Sequence, residues 1–100
     1  MRIRFTSEAL KAARTKRAWW VQHRDKAPGL FVAELGAVVA KLRDGADKER
    51  QRYALFGGRI VWRLLMPKTG NHVYYRHDSS AGVVEILSIW NATAGAPPDL

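Results

Sequence analysis

The chain has 100 residues, with 17 Lys and Arg against 9 Asp and Glu, and a formal net charge of +8. One hydrophobic core is what this length supports, so we expect a single domain over residues 1–100. Hydrophobic residues make up 47% and charged residues 26% of the chain, a globular composition rather than a disordered one. No apolar run reaches the roughly 20 residues of a membrane span. The sequence therefore predicts a protein that is not inserted in a membrane.

The residue types that are missing exclude several kinds of chemistry. The chain contains no cysteine, which excludes disulfides, thiolate metal sites and cysteine nucleophiles, and is typical of a reducing compartment. The charged N-terminus has no apolar signal core behind it, so we expect a cytoplasmic protein. There is no Gly-rich phosphate loop, and His72 and His77 should alternate to opposite faces of a strand. We therefore predict neither a cofactor nor a metal site, and the positive charge favours an acidic partner.

The first half of the chain has helical spacing. After a short strand-like Arg2–Phe5, Thr6 or Ser7 can cap a helix that continues to about His23 without Gly or Pro. Pro28 is a suitable residue to start a second helix. The apolar residues of this second helix lie on a single face: Phe31, Leu35, Val38 and Leu42. Gly45 is a suitable residue to end the helix. Two helices with a short Pro-Gly link predict an αα-hairpin.

The second half alternates as strands do, at about 52–56, 59–66, 72–78 and 83–90. Turn signals separate these strands, the clearest being Gly57-Gly58. The fold class is therefore predicted as α+β: an N-terminal β-strand, an αα-hairpin, then a C-terminal antiparallel β-meander, with an irregular tail at 91–100.

Loop lengths predict a register that aligns charged residues across the strands. We expect Arg52 opposite Arg63, Arg63 opposite Arg76, and Arg76 opposite Glu85. One face of the sheet would then pack on the helices, with side chains from Trp62, Leu64, Met66, Val73, Tyr75, Val84, Ile86 and Trp90. The other face would surround the arginine row with Val61, Leu65, Tyr74, Leu87 and Ile89. Such a largely apolar second face predicts a cover from outside the domain.

Several stretches, in this order and spacing, are similar to one known family. In the first half they are Phe5-Thr6-Ser7-Glu8-Ala9, Trp19-Trp20 with His23-Arg24, and Ala27-Pro28-Gly29-Leu30-Phe31 with Glu34-Leu35. In the second half they are Gly58–Leu65, His72–Arg76, and Val84–Trp90 followed by Gly95, Pro97 and Leu100. The chain resembles ParE-type toxins of the RelE/ParE superfamily over nearly its whole length.

This resemblance implies the toxin component of a type II toxin–antitoxin system. Such a toxin is neutralised by an acidic cognate antitoxin, through which the complex can contact operator DNA. ParE-like members poison DNA gyrase, whereas RelE-like members cut messenger RNA on the ribosome. RelE-like members usually carry a Tyr or His near the C-terminus, which this chain lacks after Trp90. The ParE-like function is therefore favoured, although Thr93 and Ala94 stand where ParE-like tails are basic.

Two sets of candidate site residues follow. The candidates for antitoxin or target binding are Arg52, Arg63, Tyr74, Arg76, Leu65, Leu87, Arg14 and Arg17. For the alternative ribonuclease, the candidate catalytic residues are Arg63, Arg76 and His72, which would supply cations and a proton acceptor at a scissile phosphate. Two simpler interpretations stay open: a cross-strand ion pair of the arginines with Glu85, and a basic nucleic-acid-binding module without toxicity.

Overall fold

The computed structural model describes residues 1–45, 48, 50–96, 98 and 100, and the Phe56 side chain is left aside. The elements in chain order are β1 (Arg2–Phe5), α1 (Ser7–His23), α2 (Leu30–Arg43), β2 (Gln51–Phe56), β3 (Arg59–Met66), β4 (Asn71–Asp78) and β5 (Val83–Asn91). The five strands form one sheet in the order β1-β5-β4-β3-β2. The predicted α+β class and the order of its elements are confirmed. The sheet is mixed, because β1 pairs parallel with β5 while the other pairs are antiparallel.

Local chemistry accounts for where the helices begin. The Thr6 side chain accepts a hydrogen bond from the Ala9 amide at 3.1 Å, so Thr6 is the N-cap of α1. Its hydroxyl also donates to the carbonyl oxygen of Leu87 at 3.2 Å, which ties the start of α1 to β5. Helix α2 begins at Leu30, two residues after Pro28, with Gly29 as its N-cap. In the described chain, no helix combines the length and the apolar character that a membrane span requires.

The core lies between the two helices and one face of the sheet, which we call the helix-side face. The α2 stripe is confirmed, because Phe31, Val38 and Leu42 are buried and Leu35 is partly buried against them. The other members of the core cluster are Ala9, Leu64, Met66, Val73, Tyr75, Val84, Ile86 and Ile89. This burial of apolar area is the main stabilising contribution to the fold.

The register of β3 corrects the predicted arginine row. Arg63 lies opposite Tyr74 and Gln51, and not opposite Arg76 or Arg52. The turn between β3 and β4 pairs Met66 with Asn71, so the register differs from the predicted one by two residues. A shift of two residues leaves each side chain on its predicted face of the sheet. The predicted pairing of Arg76 with Glu85 is confirmed.

Two β-bulges account for the remaining errors in the predicted faces. In β2 the register shifts between Arg52 and Ala54, so Arg52 pairs with Trp62 and shares the helix-side face with it. In β5 the extra residue is Leu87, since Tyr75 pairs with Ile86 and Tyr74 with Ser88. The predicted positions of Ile89 and Trp90 were therefore wrong. Ile89 belongs to the core, and Trp90, opposite His72, lies on the outer face, as we call the other side of the sheet.

The hairpin between β2 and β3 is formed by the glycines that the sequence indicated. Gly57 and Gly58 have φ angles of 58° and 76°, values that side chains disfavour and that a two-residue type I′ turn requires at both positions. After β5 the described tail residues form neither helix nor strand, as predicted. Pro97 and Asp99 lie outside the described residues.

Candidate functional site

The bulge at Tyr53 creates an aromatic and basic cluster on the outer face. The extra residue turns Tyr53 toward this face, where its ring meets that of Tyr74 edge-on at 4.7 Å between centroids. The guanidinium carbon of Arg63 lies 5.5 Å from the Tyr53 ring centroid, and Nε of Arg63 donates to Oε1 of Gln51 at 3.1 Å. The ring centroid of His72 lies 6.0 Å from that of Tyr74, and these two rings also meet edge-on. Together these residues form the floor of a cleft.

The C-terminal segment forms the other wall of this cleft, which we call the tail cleft. It has a volume of about 190 Å³ and is lined by Tyr53, Arg63, His72, Tyr74 and Trp90, together with the tail residues Asn91, Ala92, Ala94, Gly95, Ala96 and Pro98. Nε1 of Trp90 donates to the carbonyl oxygen of Ala96 at 2.9 Å. The Asn91 side chain accepts from the Thr93 amide and hydroxyl, both at 2.8 Å. These bonds fold the tail back onto the outer face.

His72 is the titratable group of the tail cleft whose pKa is perturbed. Burial lowers the pKa of His72 below its usual 6.5, and the positive charge of Arg63 lowers it further. The neutral imidazole therefore predominates at pH 7 and can accept a proton, while Arg63 offers a cation for an anionic group. A proton acceptor, a cation and two phenolic hydroxyls are thus present in one place.

The structure places the other predicted site residues in separate regions. Arg76 lies further along β4, with Nη1 at 4.0 Å from Oε1 of Glu85, so it is not part of the tail cleft. Arg52 is exposed on the helix-side face. Leu65 is exposed and Leu87 is partly buried at the bulge. Of the predicted residues, Arg63, His72 and Tyr74 are therefore brought together.

The predicted external cover of the outer face is not required by its apolar side chains. Val61 and Tyr74 retain 0% and 3% exposure, because neighbouring side chains of the same chain enclose them. The long stems of Arg59 and Arg63, on either side of Val61 along β3, are of the kind that cover apolar surface. Leu65 is the exposed member of the predicted apolar set, at 49%.

Helix α1 carries the second predicted basic region. Arg14 and Arg17 are exposed, and neither they nor Lys11 and Lys16 form an ion pair within the described residues. Burial lowers the pKa of Lys16 from its usual value. Within the described residues, these four cations of the helix therefore have no carboxylate partner.

Lys16 lines a cleft of about 500 Å³ between the end of α1 and the sheet. Trp19 is 43% exposed and stacks on the His23 ring at 4.9 Å. The Arg24 guanidinium lies 5.0 Å from the Trp19 ring centroid and 5.6 Å from that of Trp20. We call this region, with Lys16, the tryptophan groove.

The sequence did not predict that Tyr53 and Trp90 belong to the tail cleft. Tyr53 precedes three consecutive apolar residues, Ala54-Leu55-Phe56, and that break in alternation was the available signal for a bulge. For Trp90 the sequence carries no equivalent signal, because its face depends on the bulge at Leu87.

Comparisons of this chain with protein-family models, with curated proteins and with solved structures found no match. Across the part of the chain that the structure describes, no three His, Asp or Glu side chains are grouped as a metal site would need.

Proposed function

We propose that this chain is the toxin component of a type II toxin–antitoxin system, of the ParE-like kind, that inhibits DNA gyrase and is neutralised by an acidic cognate antitoxin. The observation that carries the proposal is that Lys11, Arg14, Lys16 and Arg17 of α1 have no ion-pair partner among the described residues, together with the exposed Trp19 near the end of the same helix. An uncompensated cationic surface with an exposed tryptophan favours an acidic protein partner, because the charge steers association and the ring supplies a buried anchor.

The order of the elements and the sequence pattern support the same proposal. A strand, two helices and antiparallel strands follow one another as they do in the family that the sequence resembles. On this proposal, Arg14 and Arg17 bind carboxylates of the antitoxin while Trp19 packs against an apolar side chain of it. The antitoxin supplies the contacts to operator DNA.

The experiment is to express the chain from a tightly repressed promoter in a bacterial host, alone and together with any acidic reading frame next to its gene. We expect growth arrest with filamentation and a DNA-damage response when the chain is expressed alone, and rescue by the acidic protein. Purified chain should then inhibit supercoiling by gyrase. Normal growth of cells that accumulate folded protein would contradict the proposal.

A matched pair of variants tests the role of α1. Arg14→Gln with Arg17→Gln removes two charges from the proposed interface, and Arg43→Gln with Lys48→Gln removes two exposed charges outside it. We expect the first pair to weaken antitoxin binding by about tenfold and to reduce its salt dependence. Equal losses in both pairs would indicate that net charge matters, rather than this interface.

The tail cleft favours one second function, a RelE-like ribosome-dependent mRNA endonuclease. The supporting observation is that His72, Arg63 and two tyrosine hydroxyls line one cleft. Attack by a ribose 2′-hydroxyl needs a proton acceptor, a proton donor and a cation, and these groups can supply all three. Tyr53 and Tyr74 supply phenolic hydroxyls, whereas the sequence after Trp90 contains neither Tyr nor His.

Transcript mapping after expression distinguishes the two functions. Cleavage of translated transcripts, lost in His72→Gln and retained in His23→Gln, would support the endonuclease. Intact transcripts together with inhibited supercoiling would support the gyrase inhibitor.

A further inference from the structure

A second cleft on the outer face is formed mainly by arginines and belongs to neither function above. It has a volume of about 270 Å³ and is lined by Arg2, Arg4, Arg59, Arg76, Asp78, Ala81, Val83 and Glu85. We call it the arginine cleft. Of the arginines singled out in the sequence, only Arg76 belongs to it.

The topology explains why distant residues meet there. Arg2 and Arg4 are two residues apart on β1, so they share a face, and the parallel pairing of β1 with β5 sets Arg4 beside Glu85. Glu85 in turn lies opposite Arg76 on β4. Arg59, at the start of β3, reaches Asp78 at the end of β4 with 3.8 Å between Nη2 and Oδ2.

Both carboxylates of the cleft have hydrogen-bond donors of their own. Glu85 accepts a hydrogen bond from Nη2 of Arg4. Asp78 accepts from the Ser80 hydroxyl at 2.8 Å and from the Ala81 amide at 3.1 Å. These two hydrogen bonds, that from Ser80 first, hold the pKa of Asp78 below its usual value, so this side chain stays ionised. Four guanidinium groups and two carboxylates therefore leave two positive charges without compensation.

The guanidinium donors, in contrast, are only partly used. Arg76 approaches Glu85 at 4.0 Å and Arg59 approaches Asp78 at 3.8 Å, distances too long for hydrogen bonds. Nε of Arg76 is buried and has no hydrogen-bond partner within the described residues. A buried donor of this kind lowers stability unless a ligand or water satisfies it.

We propose that the arginine cleft binds a phosphoryl group. A phosphate monoester carries a charge of about −1.5 to −2 at pH 7 and three acceptor oxygens, which fits two uncompensated charges and several free N–H donors. The two parallel N–H groups of a guanidinium can donate to two oxygens of one phosphate at the same time. A single carboxylate would neutralise one of the two charges and offer two acceptor oxygens instead of three. The phosphoryl group belongs to a small phosphorylated molecule or to nucleic acid, and the same chemistry serves both.

The test is a titration of the purified, isotope-labelled full chain, followed by NMR at the Arg76 Nε–H resonance. The probes are inorganic phosphate, acetate at equal ionic strength, and one short deoxyoligonucleotide with either a 5′-phosphate or a 5′-hydroxyl. We expect saturable shifts with phosphate and none with acetate. A preference for the phosphorylated oligonucleotide would assign a terminal phosphate, equal binding of both forms a backbone phosphate, and binding of inorganic phosphate alone a small ligand.

Variants connect the binding to the cleft. Arg2→Gln and Arg59→Gln should each weaken phosphate binding about tenfold, since hydrogen bonds to charged groups contribute about that much. Arg52→Gln removes the same charge from the helix-side face and should change nothing. Arg76→Gln should abolish the binding; because this variant lacks the Arg76 Nε–H, its titration is followed at the backbone amide resonances of Ala81, Val83 and Glu85, and thermal unfolding shows whether it still folds.

The absence of saturable shifts with every probe would overturn the proposal, as would equal losses in Arg2→Gln and Arg52→Gln. Neither result depends on toxicity, so the toxin proposal and this one fail separately.

Discussion

The two faces of the sheet reach burial by different means. On the helix-side face, Tyr75 and Ile86 are fully buried by α1 and α2. On the outer face, Val61 and Tyr74 are nearly as buried although both helices lie on the other side of the sheet, and the rings of Tyr53 and His72 pack edge-on against Tyr74. The first face is a mainly apolar core under the helices, whereas the second carries polar and aromatic side chains beside its apolar ones.

This difference separates stability from function. Apolar packing against the helices contributes most of the folding free energy. The outer face carries the free donors and the perturbed histidine. Substitutions should therefore lower stability most among the apolar residues of the helix-side face, and substitutions on the outer face should alter titration or ligand binding more than stability.

The largest expected effect is at Phe31, a fully buried α2 residue. Phe31→Ala should lower the free energy of unfolding by about 3–5 kcal/mol, because it leaves a cavity between α2 and the sheet. Urea denaturation measures this change. The neighbouring Val32→Ala, at an exposed position, should stay within about 0.5 kcal/mol. Similar losses in both variants would contradict an apolar core on this face.

Glu34 tests the buried charge on the helix side of the molecule. Its carboxylate accepts hydrogen bonds from the Lys68 amide at 2.7 Å, the Thr69 amide at 2.9 Å and the Thr69 hydroxyl at 2.6 Å. Glu34→Gln keeps the shape but sets an NH₂ group against an N–H donor, so it should destabilise the fold by about 2 kcal/mol. Thermal unfolding is the measurement. Asp25→Asn, in an exposed loop, is the control and should have little effect.

A smaller effect is expected at Trp90 on the outer face. Trp90→Phe keeps an aromatic side chain but removes the indole N–H that donates to Ala96, at a cost of about 1 kcal/mol. Hydrogen exchange of the tail amides should quicken. Trp62→Phe, whose ring lies under the Arg50 guanidinium, should leave tail exchange unchanged. Unchanged tail exchange in Trp90→Phe would show that this bond does not hold the tail.

The smallest expected effect is the titration of His72. Because its pKa is lowered in the folded state, the unfolded chain binds the proton more readily, and stability rises with pH up to about 6.5 and is lost as pH falls below it. Arg63→Gln removes a nearby positive charge and should raise the pKa of His72 toward 6.5. An NMR titration of the imidazole reports this shift. Arg52→Gln, on the other face, should not move it; an equal shift would indicate long-range charge alone.

The predictions from sequence succeeded where a local rule is sufficient. The stripe from Phe31 to Leu42 and the positive-φ turn at Gly57-Gly58 depend on residues close in the chain, and both are present. The arginine row failed because it needed an unbroken register over three strand pairs. One bulge at Tyr53 and a two-residue shift at the β3–β4 turn were enough to separate Arg52, Arg63 and Arg76.

The tail cleft could be predicted only in part. The alternation of β4 correctly set His72 and Tyr74 on one face, with Arg63 on the neighbouring strand. Tyr53 and Trp90 could not be added, since each owes its face to a bulge. The arginine cleft was not predictable from these patterns, because Arg4 meets Glu85 only through the parallel pairing of the first strand with the last.

The sequence by itself determined the α+β class, the order of the elements, the core stripe of α2 and the turns, because capping, periodicity and glycine conformation act over a few residues. Tertiary structure decided which charged side chains meet. Bulges and the pairing of β1 with β5 are set by packing between segments far apart in the chain, and a one-residue change in register reverses the face of every residue beyond it.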